Sequence, residues 1–203
     1  MNVIIFRDNA AKYKAHRDKC RSKGQKDPSA AQYFNCVEDP LLDGDDDEEV
    51  LDRVPPPELH LHEGIVNKLV SVLNEKWVDE KPGENNFWKW CGRKNIIVQY
   101  FRGKSLNGNE CRDVLELLDD LAACIPAHLM NFIDALRAFN LVRKSCFGED
   151  LLDSYVEDIA NFKAAYLNLG INVTSKAHIV FHHVADFCGK RNKGLGFYSE
   201  QTG

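Results

Sequence analysis

The sequence predicts a mainly α protein: an antiparallel helical domain with a few short strands. Three observations point there. Apolar residues recur at three- and four-residue spacing in successive segments. Short stretches holding Pro, Gly and Asn separate those segments, and short connections favour antiparallel neighbours. No fixed-period repeat is visible, which excludes a solenoid.

Pro55-Pro56-Pro57 opens the first strong element. Proline is tolerated in a first helical turn, and Glu58 suits the positive end of the helix dipole. Leu61, Ile65, Leu69, Val72 and Leu73 then form one stripe, so a buried core helix is expected over 58–77. Residues 78–95 read as loop-rich and carry the aromatic cluster Phe87, Trp88 and Trp90. Ile96-Ile97-Val98 reads as a strand or a buried extended segment.

Three amphipathic helices follow. The first is built on Cys111, Val114, Leu115, Leu118 and Leu121. The second starts at Pro126 and uses Leu129, Phe132, Ile133, Leu136, Phe139 and Val142. The third uses Tyr155, Val156, Ile159, Phe162 and Tyr166, with Gly170 at the left-handed cap. A fourth helix, 175–189, has Thr174 and Ser175 as cap signals. Gly189, Lys190 and Arg191 form its expected stop. It carries His178, His182 and His183. Residues 1–53 form a separate polar arm, basic over 7–26 and acidic over 43–49, expected to be partly disordered.

Composition limits the function. The chain has 203 residues, 44% hydrophobic and 28% charged, as in an ordinary soluble globular protein. No window approaches the ~18 continuous apolar residues of a membrane span. No secretory signal is apparent, so an intracellular location is expected. Seven cysteines without a CxxC pair fit buried, reduced thiols better than a disulfide framework. Asn172-Val173-Thr174 is read as a helix entry, not a glycosylation site. The net charge of −5 argues against a generally basic surface. Any DNA contact is expected from the early basic segment, at Arg17, Lys19, Arg21 and Lys23.

His178 and His182 lie one helical turn apart, a spacing that suits two ligands of a divalent ion, with Cys188 or a distant acid as a third. Two partly exposed histidines on a core helix, bonded to backbone or water, are the plainer alternative. Gly194-Leu195-Gly196 lacks the preceding strand of a phosphate-binding loop. Cys111, after Gly108-Asn109-Glu110, is the one cysteine near a helix start, and a buried structural thiol is the better reading for it as for each of the others. Glu58 and Glu200 are candidate carboxylates, and two or three carboxylates around Mg2+ are the minimum for phosphoryl transfer.

The stretches PPPELHLHEGIVNKLV, FRGKSLNGNECRDVLELLDDL, FKAAYLNLGINVTSKAHIVFHHVADFC and KGLGFYSEQ resemble transposon-encoded proteins of invertebrate genomes. Those proteins are similar to DDE-type transposases with an RNase H-like core and a helical insertion. The resemblance covers most of residues 33–203. It implies a helical insertion at about 109–170, joined to part of the RNase H-like core. It further implies Glu58 and Glu200 as catalytic acids, and Glu58, His60, His178 and His182 as metal-ligand candidates for Mg2+ or Mn2+. DNA is the implied partner, with possible homo-oligomers and a nuclear location. Departures accompany it. Family members carry a first catalytic Asp with no counterpart here, and a Phe-Glu past Ser199-Glu200-Gln201. The expectation is a transposase-like fragment that does not perform strand transfer alone. Two alternatives stand beside it: a helical interaction module that uses Phe87, Trp88 and Trp90, and a zinc-stabilised helical domain.

Overall fold

The computed structural model describes residues 54–77, 86–100 and 103–198. The basic and acidic arm, with Arg17, Lys19, Arg21 and Lys23, lies outside them, as does Glu200. All regular structure among the described residues is helical. Ile96-Ile97-Val98 does not make a strand. One isolated antiparallel bridge, Gln99 to Ser105, stands in that region. Ile96 is buried there, while Ile97 and Tyr100 are exposed.

Helix α1 (Glu58–Lys76) begins after the prolines, and Leu61, Ile65, Val66, Leu69, Val70 and Leu73 turn inward. Its apolar stripe therefore does what its spacing predicts. Helix α2 (Phe87–Arg93) occupies part of the segment read as loop. Asn86 caps it, its side chain accepting from the Lys89 N–H at 3.1 Å. Phe87 and Trp90 are fully buried.

The next predicted helix divides in two, α3 (Gly108–Glu116) and α4 (Leu118–Ala122), at Leu117. Asn107 caps α3, accepting from the N–H groups of Asn109 and Glu110. A short 3-10 turn (Ala127–Leu129) leads into α5 (Met130–Val142), which runs on into a π-helical turn, Arg143–Phe147. That widened turn carries Ser145, Cys146 and Phe147 together into the core. Helix α6 (Tyr155–Asn168) packs chiefly on α5. Gly170 follows it with φ +64°, the left-handed cap the sequence predicts.

The last predicted helix starts as expected. Thr174 Oγ1 accepts from the Ala177 N–H at 3.2 Å. It then changes pitch: α7 (Ser175–Ile179), a second π-helical turn (Val180–Val184), and α8 (Ala185–Arg191). The stop differs from expectation. Gly189 stays inside α8, and Asn192 takes the left-handed conformation at φ 51°. Asn tolerates that region better than most residues because its short amide bonds locally.

The core centres on aromatic rings from α5, α6 and the second π turn. Phe139 and Phe162 stand 5.1 Å apart, and Phe162 and Phe181 5.5 Å, in the tilted geometries that aromatic quadrupoles prefer. Tyr166 closes the group against Phe181 at 5.5 Å and donates its hydroxyl to the Asn172 carbonyl at 3.0 Å.

Candidate functional site

One group of interacting charges draws on α1, α3 and the first π turn. Glu58 and His62 sit one turn apart on α1, as Arg112 and Glu116 do on α3. Arg143 opens the π turn. Burial holds the Glu58 carboxyl above its usual range, and the Arg143 guanidinium partly offsets that. Burial also depresses His62, with Arg143 and Arg112 adding to the effect, to about 4. His62 is therefore neutral at physiological pH. It is 5% exposed, and its Nε2 has no hydrogen-bond partner among the described residues. The Phe139 ring lies 6.1 Å from its own.

Arg143 is held from behind. Its Nε donates to Asn140 Oδ1 at 3.1 Å, and Asn140 Nδ2 donates to the Leu115 carbonyl at 3.2 Å. Its guanidinium lies within electrostatic reach of Glu116 and Glu58, the two carboxylates of the group. The set thus balances two acids against two guanidiniums around a neutral imidazole. The Arg143 charge acts electrostatically on both carboxylates, which disfavours a divalent ion there.

The histidines of the last helix form a second group. The His178 and His182 rings are 4.7 Å apart, and the His178 and His183 rings 5.4 Å. His178 and His182 are exposed and His183 is half-buried. Partial desolvation, followed by Lys163 of α6 and the neighbouring imidazoles, lowers the His182 pKa. His60 is exposed on α1. Among the described residues, no group of three or more His, Cys, Asp or Glu side chains is arranged to hold a metal ion. The sequence reading thus correctly finds His178 and His182 as neighbours. The structure does not join them with Glu58 and His60 in such a group.

The thiols follow burial. Cys91 is pushed up to about 12, and Cys111 is raised further by burial, Glu63 and Glu110. Cys111 is thus a protonated core thiol despite its place near a helix start. Sequence reasoning missed Arg112, Glu116, Arg143 and His62. The pairs Glu58–His62 and Arg112–Glu116 were visible as one-turn spacings, but their meeting across helices was not.

No helix among the described residues is long and apolar enough to cross a membrane. No family model, no curated protein and no solved structure matches the chain.

Proposed function

We propose that this chain is a transposase-like protein derived from a transposable element, and that residues 54–198 are a helical scaffold that does not itself carry out strand transfer. The family resemblance supports the first half. One observation carries the second: burial keeps the carboxyl of Glu58, the acid of the PPPELHLH stretch, more protonated than usual, within the field of Arg143 and one turn from neutral His62. Two-ion phosphoryl transfer needs ionised carboxylates that converge on metal. DNA contact then falls to Arg17, Lys19, Arg21 and Lys23, and the protein acts in the nucleus.

The test uses the full chain with supercoiled plasmid and Mg2+ or Mn2+. The expected result is salt-dependent DNA binding that weakens when the four basic residues become Ala, with no nicking. Metal-dependent nicking or joining that is lost in Glu58→Gln would overturn the scaffold reading. Absence of DNA binding at low salt would overturn the transposase reading.

A second reading, association of copies of this chain, is favoured by α6. Val156 and Leu167 are about half exposed, at 54% and 50%, and exposed Ala160 and Ala164 continue the same helical face between them. The aromatic cluster does not serve that role. Phe87 and Trp90 are fully buried and Trp88 is half-buried, so these rings belong to the core. Sedimentation showing a dimer that dissociates in Val156→Lys would support association; a monomer at all concentrations would exclude it.

A further inference from the structure

Three imidazoles gather where the last long helix changes pitch. His178 stands in α7, and His182 and His183 in the second π turn. The His178 and His182 ring centroids are 4.7 Å apart, with planes tilted by 38°. The His183 ring stands 5.4 Å from that of His178 and meets it edge-on, at 61°. In a regular α-helix, residues four apart are neighbours and residues five apart are not. The wider π turn brings both rings to the side of His178.

The core beneath holds the first pair in place. Thr174 caps the first turn, accepting from the Ala177 N–H at 3.2 Å, and the His178 N–H donates to the Thr174 carbonyl at 2.9 Å. Ala177, Val180, Phe181 and Val184 are buried. The His182 ring meets Phe181 edge-on at 6.5 Å, and Phe181 packs in turn on Phe162 and Tyr166. His178 and His182 are both exposed, so an ion reaches them from solvent. A rigid helix that presents two ligands on one face is a better platform than a loop.

We propose that His178 and His182 form a two-imidazole chelate for a borderline divalent transition ion, with water completing its coordination. The spacing carries this. With metal–nitrogen bonds of about 2.0–2.1 Å, each ring centroid stands roughly 3 Å from the ion, and two ligands at right-angle to tetrahedral geometry place their centroids about 4.5–5 Å apart. The 4.7 Å of His178 and His182 lies inside that range, and the 5.4 Å of His178 and His183 lies outside it. Among the described residues no third His, Cys, Asp or Glu completes a larger set. The chelate is therefore bidentate. Imidazole selects the ion: Cu2+ binds most strongly, then Ni2+ and Zn2+, whereas Mg2+ and Ca2+ prefer oxygen ligands. Lys163 of α6 acts electrostatically on His182 and opposes the ion. Salt and solvent screen that charge at an exposed face. The site needs neither DNA nor a carboxylate, so it stands apart from the transposase reading.

The test uses the folded full chain with Ni2+ alone, which binds imidazole without oxidising thiols. Substoichiometric Ni2+ should broaden the His178 and His182 ring signals first in the NMR spectrum, and excess Mg2+ should not reverse this. Loss of an outer hydrogen-bond partner alone costs a metal site about 10–100-fold in affinity, so His178→Ala and His182→Ala should each weaken Ni2+ binding by at least about tenfold in calorimetry. His183→Ala should bind as wild type does. Circular dichroism checks that these variants keep the fold, and the wild-type broadening gives its answer without any variant. Broadening centred on His60, His128 or Cys124 would overturn the proposal. So would undiminished affinity in His178→Ala, a loss in His183→Ala equal to that in His182→Ala, or no binding at millimolar Ni2+.

Discussion

Asn67 grips the backbone of Leu106 from both sides. Its Nδ2 donates to the Leu106 carbonyl at 2.8 Å, and its Oδ1 accepts from the Leu106 N–H at 2.7 Å. One amide thus pairs both polar groups of a residue that is 3% exposed and belongs to no helix. The clamp fixes the segment between the Gln99–Ser105 bridge and the Asn107 cap onto α1. Asn67→Ala removes both bonds, leaving the Leu106 N–H without a partner and its carbonyl with only the weak Cys111 Sγ donor at 3.8 Å. It should lower unfolding free energy by about 2–4 kcal/mol, read from urea unfolding by circular dichroism. A loss below ~0.5 kcal/mol would mean that water replaces the amide and that the clamp contributes little.

His62 should make stability depend on pH. Its pKa falls from 6.5 to about 4 on folding. Between those values the unfolded chain binds a proton that the folded chain does not. Stability is therefore full above about pH 6.5 and declines as pH falls toward 4, by up to about 3 kcal/mol. Glu58 works in the opposite direction, because its raised pKa adds stability that is lost as pH rises. Comparing wild type with His62→Leu isolates the histidine: only the wild type should show the extra decline. Equal slopes would show that His62 keeps an ordinary pKa.

Trp90 contributes to the fold through volume and through one polar contact. Its ring is fully buried at 5.8 Å from Phe87, and its Nε1–H donates to Asp120 Oδ2 at 3.1 Å. Lys94 meets the other carboxylate oxygen at 2.7 Å, and the bond from Lys94 holds Asp120 below its usual pKa. Trp90→Phe should cost about 1 kcal/mol for the lost hydrogen bond plus some packing. Trp90→Ala should cost about 3–5 kcal/mol through the cavity. A Trp90→Ala protein as stable as wild type but with altered association would restore the partner-binding reading.

The α1 stripe, the Thr174 cap and the Gly170 cap were all legible in the sequence because each depends on residues within a few positions. The π turns were not. Their residues fit an ordinary helical spacing nearly as well. The short helix at Phe87–Arg93 was hidden because Pro82, Gly83 and Gly92 made the whole of 78–95 read as loop. The charged group at Glu58 was half legible. Its acid stood out, but Arg143 lies far along the chain and only the packing of three elements brings it near.

The Gly194-Leu195-Gly196 stretch, an isolated GxG without the preceding strand of a phosphate loop, has glycines that answer to packing. The Gly194 N–H donates to the Glu149 carbonyl at 3.0 Å, and the Gly196 N–H to the Gly148 carbonyl at 3.1 Å. A Cβ on Gly194 would stand 2.1 Å from the Gly148 carbonyl oxygen and 2.8 Å from that of Asp150. On Gly196 it would stand 2.8 Å from the Phe147 carbonyl oxygen. These neighbours are backbone and cannot rotate away, so the two chain segments must separate. Gly194→Ala should therefore destabilise by about 3 kcal/mol and Gly196→Ala by about 1–3 kcal/mol. Gly92 provides the opposite case. It lies within α2 with no atom within 4 Å of the added Cβ. Gly92→Ala should stabilise by about 0.5–1 kcal/mol through helix propensity alone. Thermal unfolding of the three variants gives the order directly. If Gly194→Ala melts with or above wild type, the close approach of residues 194–196 to residues 147–150 is wrong.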